Sequence, residues 1–164
     1  MEPRSHCAPT EAVLSGLQQA LTIGRIGETA MSAATGQSLV VGVEAMDDQR
    51  GILMDTIDEL LQKLSVRNNH EDLDLQMAWL VQFVEMHFGC EETLLRRYGF
   101  PGLEEHCTAH ERFLERIESA VEENEIVADK GLRQTLGLLR DEFVEHVEKL
   151  DRRCAEWLNA RGVF

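Results

Sequence analysis

Positive charge is scarce in this chain: 16 lysines and arginines stand against 30 aspartates and glutamates, for a formal charge of -14. Such a surface repels phosphate backbones and anionic bilayers, so neither nucleic acid nor a membrane is expected as a partner. Long apolar runs are missing too, and none approaches the length of about 20 residues that spans a bilayer. The four cysteines, Cys7, Cys90, Cys107 and Cys154, contain no C-x-x-C pair. With no secretory signal in the first residues, they are expected to be reduced, in the cytoplasm, and to serve as packing groups. Aromatic residues are absent before Trp79, and no internal repeat or low-complexity tract interrupts the chain.

What is present is helical periodicity. A chain of 164 residues with 43% hydrophobic and 28% charged residues can bury the core of one soluble domain. Leu53, Ile57, Leu60, Leu61 and Leu64 mark one apolar stripe, and Leu73, Met77, Leu80, Val84 and Leu94 a second. Leu103, Phe113, Ile117 and Val121 mark a third, and Leu132, Leu136, Leu139 and Phe143 a fourth. Helices are expected near 47 to 66, 71 to 98, 103 to 124 and 130 to 159, in an all-α, up-down-up-down antiparallel four-helix bundle. Asp47 or Asp48 suits the first N-terminus. Residues 1–37 differ in texture and read as an N-terminal extension in front of a bundle domain of residues 38–164. In the extension Thr10 can cap a short helix carrying Val13, Leu14, Leu17 and Leu21, a surface suited to docking on the bundle or on a second copy in a homodimer.

The stripes carry polar residues where apolar ones belong. His87 and Glu91 are four apart on the second, and His106 and His110 four apart on the third; His146 lies on the fourth, with Asp151 five residues beyond. On an α-helix a spacing of four puts both side chains on one face, so each i,i+4 pair is a bidentate grip. Buried imidazoles and carboxylates must satisfy one another or a metal, and this mixture suits iron, zinc or manganese. The five-residue step from His146 to Asp151 leaves them roughly 140° apart on a regular helix. Either a widened, π-type turn between them or a flanking approach by Asp151 is therefore expected. His6 and His70 lie off the stripes and read as solvated.

The segments Val-Gly-Val-Glu-Ala-Met-Asp-Asp-Gln (41–49), His-Phe-Gly-Cys-Glu-Glu (87–92), Tyr-Gly-Phe-Pro-Gly-Leu-Glu-Glu-His-Cys-Thr-Ala-His (98–110) and His-Val-Glu-Lys-Leu-Asp (146–151) resemble the bacterial hemerythrin family. The resemblance covers about residues 38–158. It implies a non-haem di-iron centre that binds O2 reversibly inside a four-helix bundle. By position it assigns His106, His110 and His146 to one iron, His87 to the other, and Glu91 and Asp151 as bridging carboxylates. Leu53, Trp79, Phe83, Phe113 and Phe143 are candidates for an apolar shell around it.

One position departs from the family pattern. Where the first helix of the family supplies a further histidine, this chain reads Asp47-Asp48-Gln49-Arg50. Arginine stays protonated and has no lone pair to give a metal. Because a guanidinium beside two irons meets a cationic centre, Arg50 either turns outward toward an acid, leaving a labile second iron, or turns inward and replaces that iron's charge beside Glu91 and Asp151; the outward arrangement is expected, because the long stem of arginine can reach solvent. Three functions follow: O2 binding or sensing, an iron-dependent oxidase, peroxidase or NO-handling enzyme, and a bundle that has lost its metal and serves as an interaction module. The near-complete ligand set favours an oxygen-binding or sensing protein over an enzyme.

Overall fold

The computed structural model describes residues 39–65, 73–124 and 129–164. The expected N-terminal helix and its dimer contact, together with His6, Cys7 and the loop around His70, lie outside the described residues. Within them the chain is all-α, with α1 Glu44–Lys63, α2 Leu73–Arg97, α3 Leu103–Asn124 and α4 Asp129–His146. A π-helical turn, Val147–Asp151, follows α4 directly and leads into α5, Arg152–Asn159, so that α4 and α5 form one continuous rod. Each long helix packs on its neighbours in sequence, and α1 closes the bundle against α4. No described helix is long and apolar enough to cross a membrane.

The first helix begins earlier than its acidic residues suggest. Val43 is the N-terminal flanking residue, in an extended conformation, and its carbonyl accepts the N–H groups of Met46 and Asp47. Asp47 therefore sits inside the first turn, and its carboxylate reaches back to accept the N–H groups of Val41 and Gly42, each at 2.9 Å. Gly42 has a φ of +88°, and an added Cβ would lie 3.4 Å from Asn159 Nδ2. This glycine lets the entering strand of chain fold over the start of α1.

Between α2 and α3 the chain reverses through Gly99, whose φ is +65°. The Phe100 N–H bonds to the Leu95 carbonyl at 3.0 Å and the Gly99 N–H to the Arg96 carbonyl at 3.3 Å. This pair of bonds is the Schellman ending, which caps α2 and directs α3 back alongside it. The Trp157 indole N–H donates to the Tyr98 carbonyl at 3.0 Å, fastening α5 to the same reversal. His87 and Glu91 are thereby set beside His106 and His110.

The core is divided in two. A large cluster holds Leu53, Met54, Ile57, Leu60, Met77, Leu80, Phe88, Phe113, Ile117, Leu136 and Phe143 among others. A smaller one holds Val43, Met46, Leu95, Cys154, Ala155 and Leu158. Each large side chain that is fully buried contributes roughly 1.5–3 kcal/mol relative to exposure. In sequence, every helix passes from one cluster to the other through a polar position: Arg50 on α1, His87 and Glu91 on α2, His106 and His110 on α3, His146 and Asp151 on the last rod. All seven are buried. The candidate site is thus a polar layer between two apolar ones. The second stripe differs from expectation at its end, where Leu95 rather than Leu94 is fully buried.

Candidate metal centre

His106 and His110 project from α3, His146 ends α4, and Asp151 ends the π-turn; one ligand atom from each falls within 4.8 Å of all the others. His110 Nε2 and His146 Nε2 are 3.1 Å apart, and His146 Nε2 lies 2.9 Å from Asp151 Oδ1. Donor atoms on adjacent corners of a coordination shell with bonds of about 2.1 Å are separated by about 3 Å, so the spacing fits a metal ion. The π-turn makes this possible. By widening the helix over five residues it removes the angular offset between His146 and Asp151, as the spacing in the sequence requires.

His87 and Glu91 complete the layer from α2. Glu91 Oε2 is 3.8 Å from His87 Nε2 and 3.9 Å from His110 Nε2, while Glu91 Oε1 is 3.8 Å from His106 Nε2. Three of these buried atoms have no hydrogen-bond partner, His87 Nε2, His106 Nε2 and Glu91 Oε2, while Asp151 Oδ1 meets the His146 ring at 2.9 Å. A buried polar atom without a partner costs about 1–3 kcal/mol, and three in one layer are hard to retain unless something else satisfies them.

The outward nitrogens are engaged instead. His110 Nδ1 is 2.9 Å from Glu92 Oε1; a carboxylate only accepts, so Nδ1 carries the hydrogen and Nε2 keeps its lone pair. His87 Nδ1 meets Gln49 Oε1 at 3.0 Å, and His106 Nδ1 lies 3.5 Å from Cys154 Sγ. Phe88 stacks on the His110 ring with centroids 3.7 Å apart and planes 6° apart. Phe143 meets His87 edge-on. Gln49, Glu92, Cys154 and Phe88 escape a reading based on helix stripes, because each acts across a helix pair. Their only signal in the sequence is adjacency to a candidate ligand, as for Glu92, Phe88 and Gln49.

Burial favours the neutral form of His87, His106 and His110. His87 is pushed down to about 3, first by desolvation, with Asp151 opposing and Arg50 and the other histidines assisting. Burial also lowers His106 and His110, the latter well below the usual histidine range, with the charges of His106 and His146 adding to the effect. The two carboxylates divide. Burial and the charge of Asp151 raise Glu91. Burial would raise Asp151 as well, but the hydrogen bond and charge of His146, together with Arg50, hold it low. The thiols stay protonated: desolvation raises Cys90 and Cys154, and Cys107 is pushed up to about 11 by burial and the charge of Glu92.

Arg50 does not turn outward. It is completely buried, with Nε and Nη2 each 2.9 Å from Asp151 Oδ2, Nη1 2.9 Å from Asp47 Oδ1 and Nη2 3.4 Å from Glu91 Oε1. The expectation of a solvent-directed guanidinium fails because three carboxylates offer it partners inside the bundle.

No family model matches the chain. Over 131 residues it is 23% identical to the Bacteriohemerythrin of Methylococcus capsulatus, an alignment spanning 80% of this chain and 99% of that protein. That likeness supports a hemerythrin-like chain. Together with the buried His/Asp cluster it indicates a metal-binding bundle. Of the expected shell residues, Leu53, Phe83, Phe113 and Phe143 are buried in the large cluster, whereas Trp79 is only partly buried and stacks on Phe83.

Proposed function

We infer that this chain is a non-haem iron protein whose buried centre binds or senses O2 or a related small ligand. The observation that carries the reading is the set of partnerless buried donor atoms, His87 Nε2, His106 Nε2 and Glu91 Oε2, beside the His106, His110, His146 and Asp151 cluster, in a layer where the Nδ1 atoms of His87, His106 and His110 are held by protein groups. His106, His110, His146 and Asp151 would hold one iron, and Glu91 with His87 marks the weakened second subsite. The likeness to a bacteriohemerythrin supports iron over zinc or manganese and O2 over other ligands. Iron would supply an exchangeable electron and an open position for the ligand.

The residues of the chain do the rest. The neutral imidazoles of His87, His106 and His110 present lone pairs with little proton competition, and Phe88, Phe113 and Phe143 exclude water from the His87, His110 and His146 rings. The protonated, unpaired thiols of Cys90, Cys107 and Cys154 are in keeping with a cytoplasmic protein. The test is anaerobic loading with ferrous iron followed by cycles of air and argon. A colour that appears and fades reversibly is expected; absence of iron uptake overturns the reading, and irreversible bleaching with turnover of peroxide or NO replaces it with an enzyme.

A further inference from the structure

We propose that Arg50 stands in place of a second metal ion, so that the centre takes one divalent cation and pairs it with a guanidinium across Asp151 and Glu91. This rests on the metal-binding reading above and specifies its stoichiometry.

The oxygens of the two carboxylates are already apportioned. Asp151 gives Oδ2 to Arg50 Nε and Nη2, while Oδ1 faces His146 and His106 at 2.9 and 3.7 Å. Glu91 turns Oε1 toward Arg50 Nη2 and leaves Oε2 without a partner. For Asp151 to bridge two ions its Oδ2 would have to be released by two N–H groups inside a dry interior, where a charged hydrogen bond is strongest. With the guanidinium in place, the far side of the layer retains, among the described residues, His87 Nε2 and Glu91 Oε2 as free donors. Two protein donors fall short of the three that open zinc-type sites use besides water.

Arg50 is held there by a network rather than by chance of packing. Its third partner, Asp47, is fixed by the N–H groups of Val41 and Gly42, and the Gly42 backbone is in turn close to Asn159 at the end of the last helix. The entering chain, the first turn of α1 and α5 therefore converge on the residue that orients the guanidinium. Charge agrees with the count. One guanidinium and one divalent ion are matched by Asp47, Glu91 and Asp151, whereas a second divalent ion would face Arg50 with no further carboxylate among these partners to offset it. Because arginine never deprotonates, the centre keeps a permanent cation when the metal leaves.

Metal analysis after anaerobic ferrous loading and desalting tests the proposal on the full chain and on Arg50→Lys and Arg50→His. One iron per chain is expected for the parent and for Arg50→Lys, and two for Arg50→His. Two tightly held irons in the parent, or a single iron in Arg50→His, overturn the proposal and leave the metal-binding reading standing. No iron in any variant overturns both. The metal-free protein supplies a second readout: Arg50→Met leaves buried carboxylates unpaired and should lower its melting temperature by roughly 10 °C. An unchanged melting temperature would contradict the role of resident cation.

Discussion

The two sides of the polar layer use the same carboxylates for different ends. On one side, His106, His110 and His146 converge with Asp151 Oδ1 within 4.8 Å, and His106 Nε2 has no hydrogen-bond partner among the described residues. On the other, Asp151 Oδ2 and Glu91 Oε1 are taken up by Arg50, with Asp47 behind it. A single helical layer thus sets a cluster with the donor set of a cation site beside a buried cation of the chain's own. What separates the two sides is that α3 and α4 contribute imidazoles to the first, whereas α1 contributes the Arg50 charge to the second.

The sharpest way to break this comparison is to remove one imidazole from each side. His110→Ala should weaken binding of the first iron more than about 100-fold, beyond the 10- to 100-fold typical of losing an orienting partner. His87→Ala should change it less than about threefold, since the polar groups that His87 meets are Glu91 and Gln49 and it lies outside the three-histidine cluster. Calorimetric or competitive titration with ferrous iron checks both, and equal losses would show that the two sides form one site. The orienting residues should divide in the same way. Glu92→Ala frees His110 Nδ1 and should cost 10- to 100-fold in affinity, whereas Gln49→Ala, acting on His87, should cost little.

Much of this centre was legible in the sequence. The i,i+4 pairs His87/Glu91 and His106/His110 needed only helical geometry, and the five-residue step from His146 to Asp151 left a π-turn or a flanking approach by Asp151, of which the π-turn is found. Arg50 was misread because its charge was weighed against two irons before its partners were counted; Asp47 and Asp151 are three and 101 residues away, and only the fold shows that both reach it. Asp47 also misplaced the start of α1, since an acid near a helix N-terminus can serve the preceding loop instead of the cap. Gln49, Glu92 and Cys154 were invisible as orienting groups because a helical wheel describes one helix and their contacts join two.

Acidity should expose the buried imidazoles of the metal-free protein. His87 titrates near 3 in the fold and His106 and His110 are also lowered, so below their unfolded value of about 6.5 the unfolded chain binds more protons than the folded one. Stability therefore falls as pH drops through 6.5 toward 3, by up to about 1.4 kcal/mol per pH unit for each uncompensated imidazole. Glu91, raised in the fold, opposes this between its two values, but one carboxyl does not cancel three imidazoles. Urea unfolding from pH 7.5 to 5 reads the slope, and a flat profile would mean that these rings are not held neutral.

The smallest effect sharpens the contrast between buried and exposed guanidinium groups. Arg140 pairs with Asp58 at 2.6 Å on the surface, both partly open to solvent. Arg140→Met should cost less than about 1 kcal/mol, against about 3–5 kcal/mol for Arg50→Met in the metal-free protein. Chemical denaturation of the two variants side by side checks the ratio, which a comparable loss from both would refute.

Anomalous scattering at the iron edge, from crystals of the iron-loaded protein, locates the metal relative to Arg50. One peak is expected, within bonding distance of His106, His110 and His146 Nε2 and Asp151 Oδ1, with Arg50 still bonded to Asp151 Oδ2. Two peaks sharing Glu91 and Asp151, with the Arg50 side chain displaced from the layer, would contradict it.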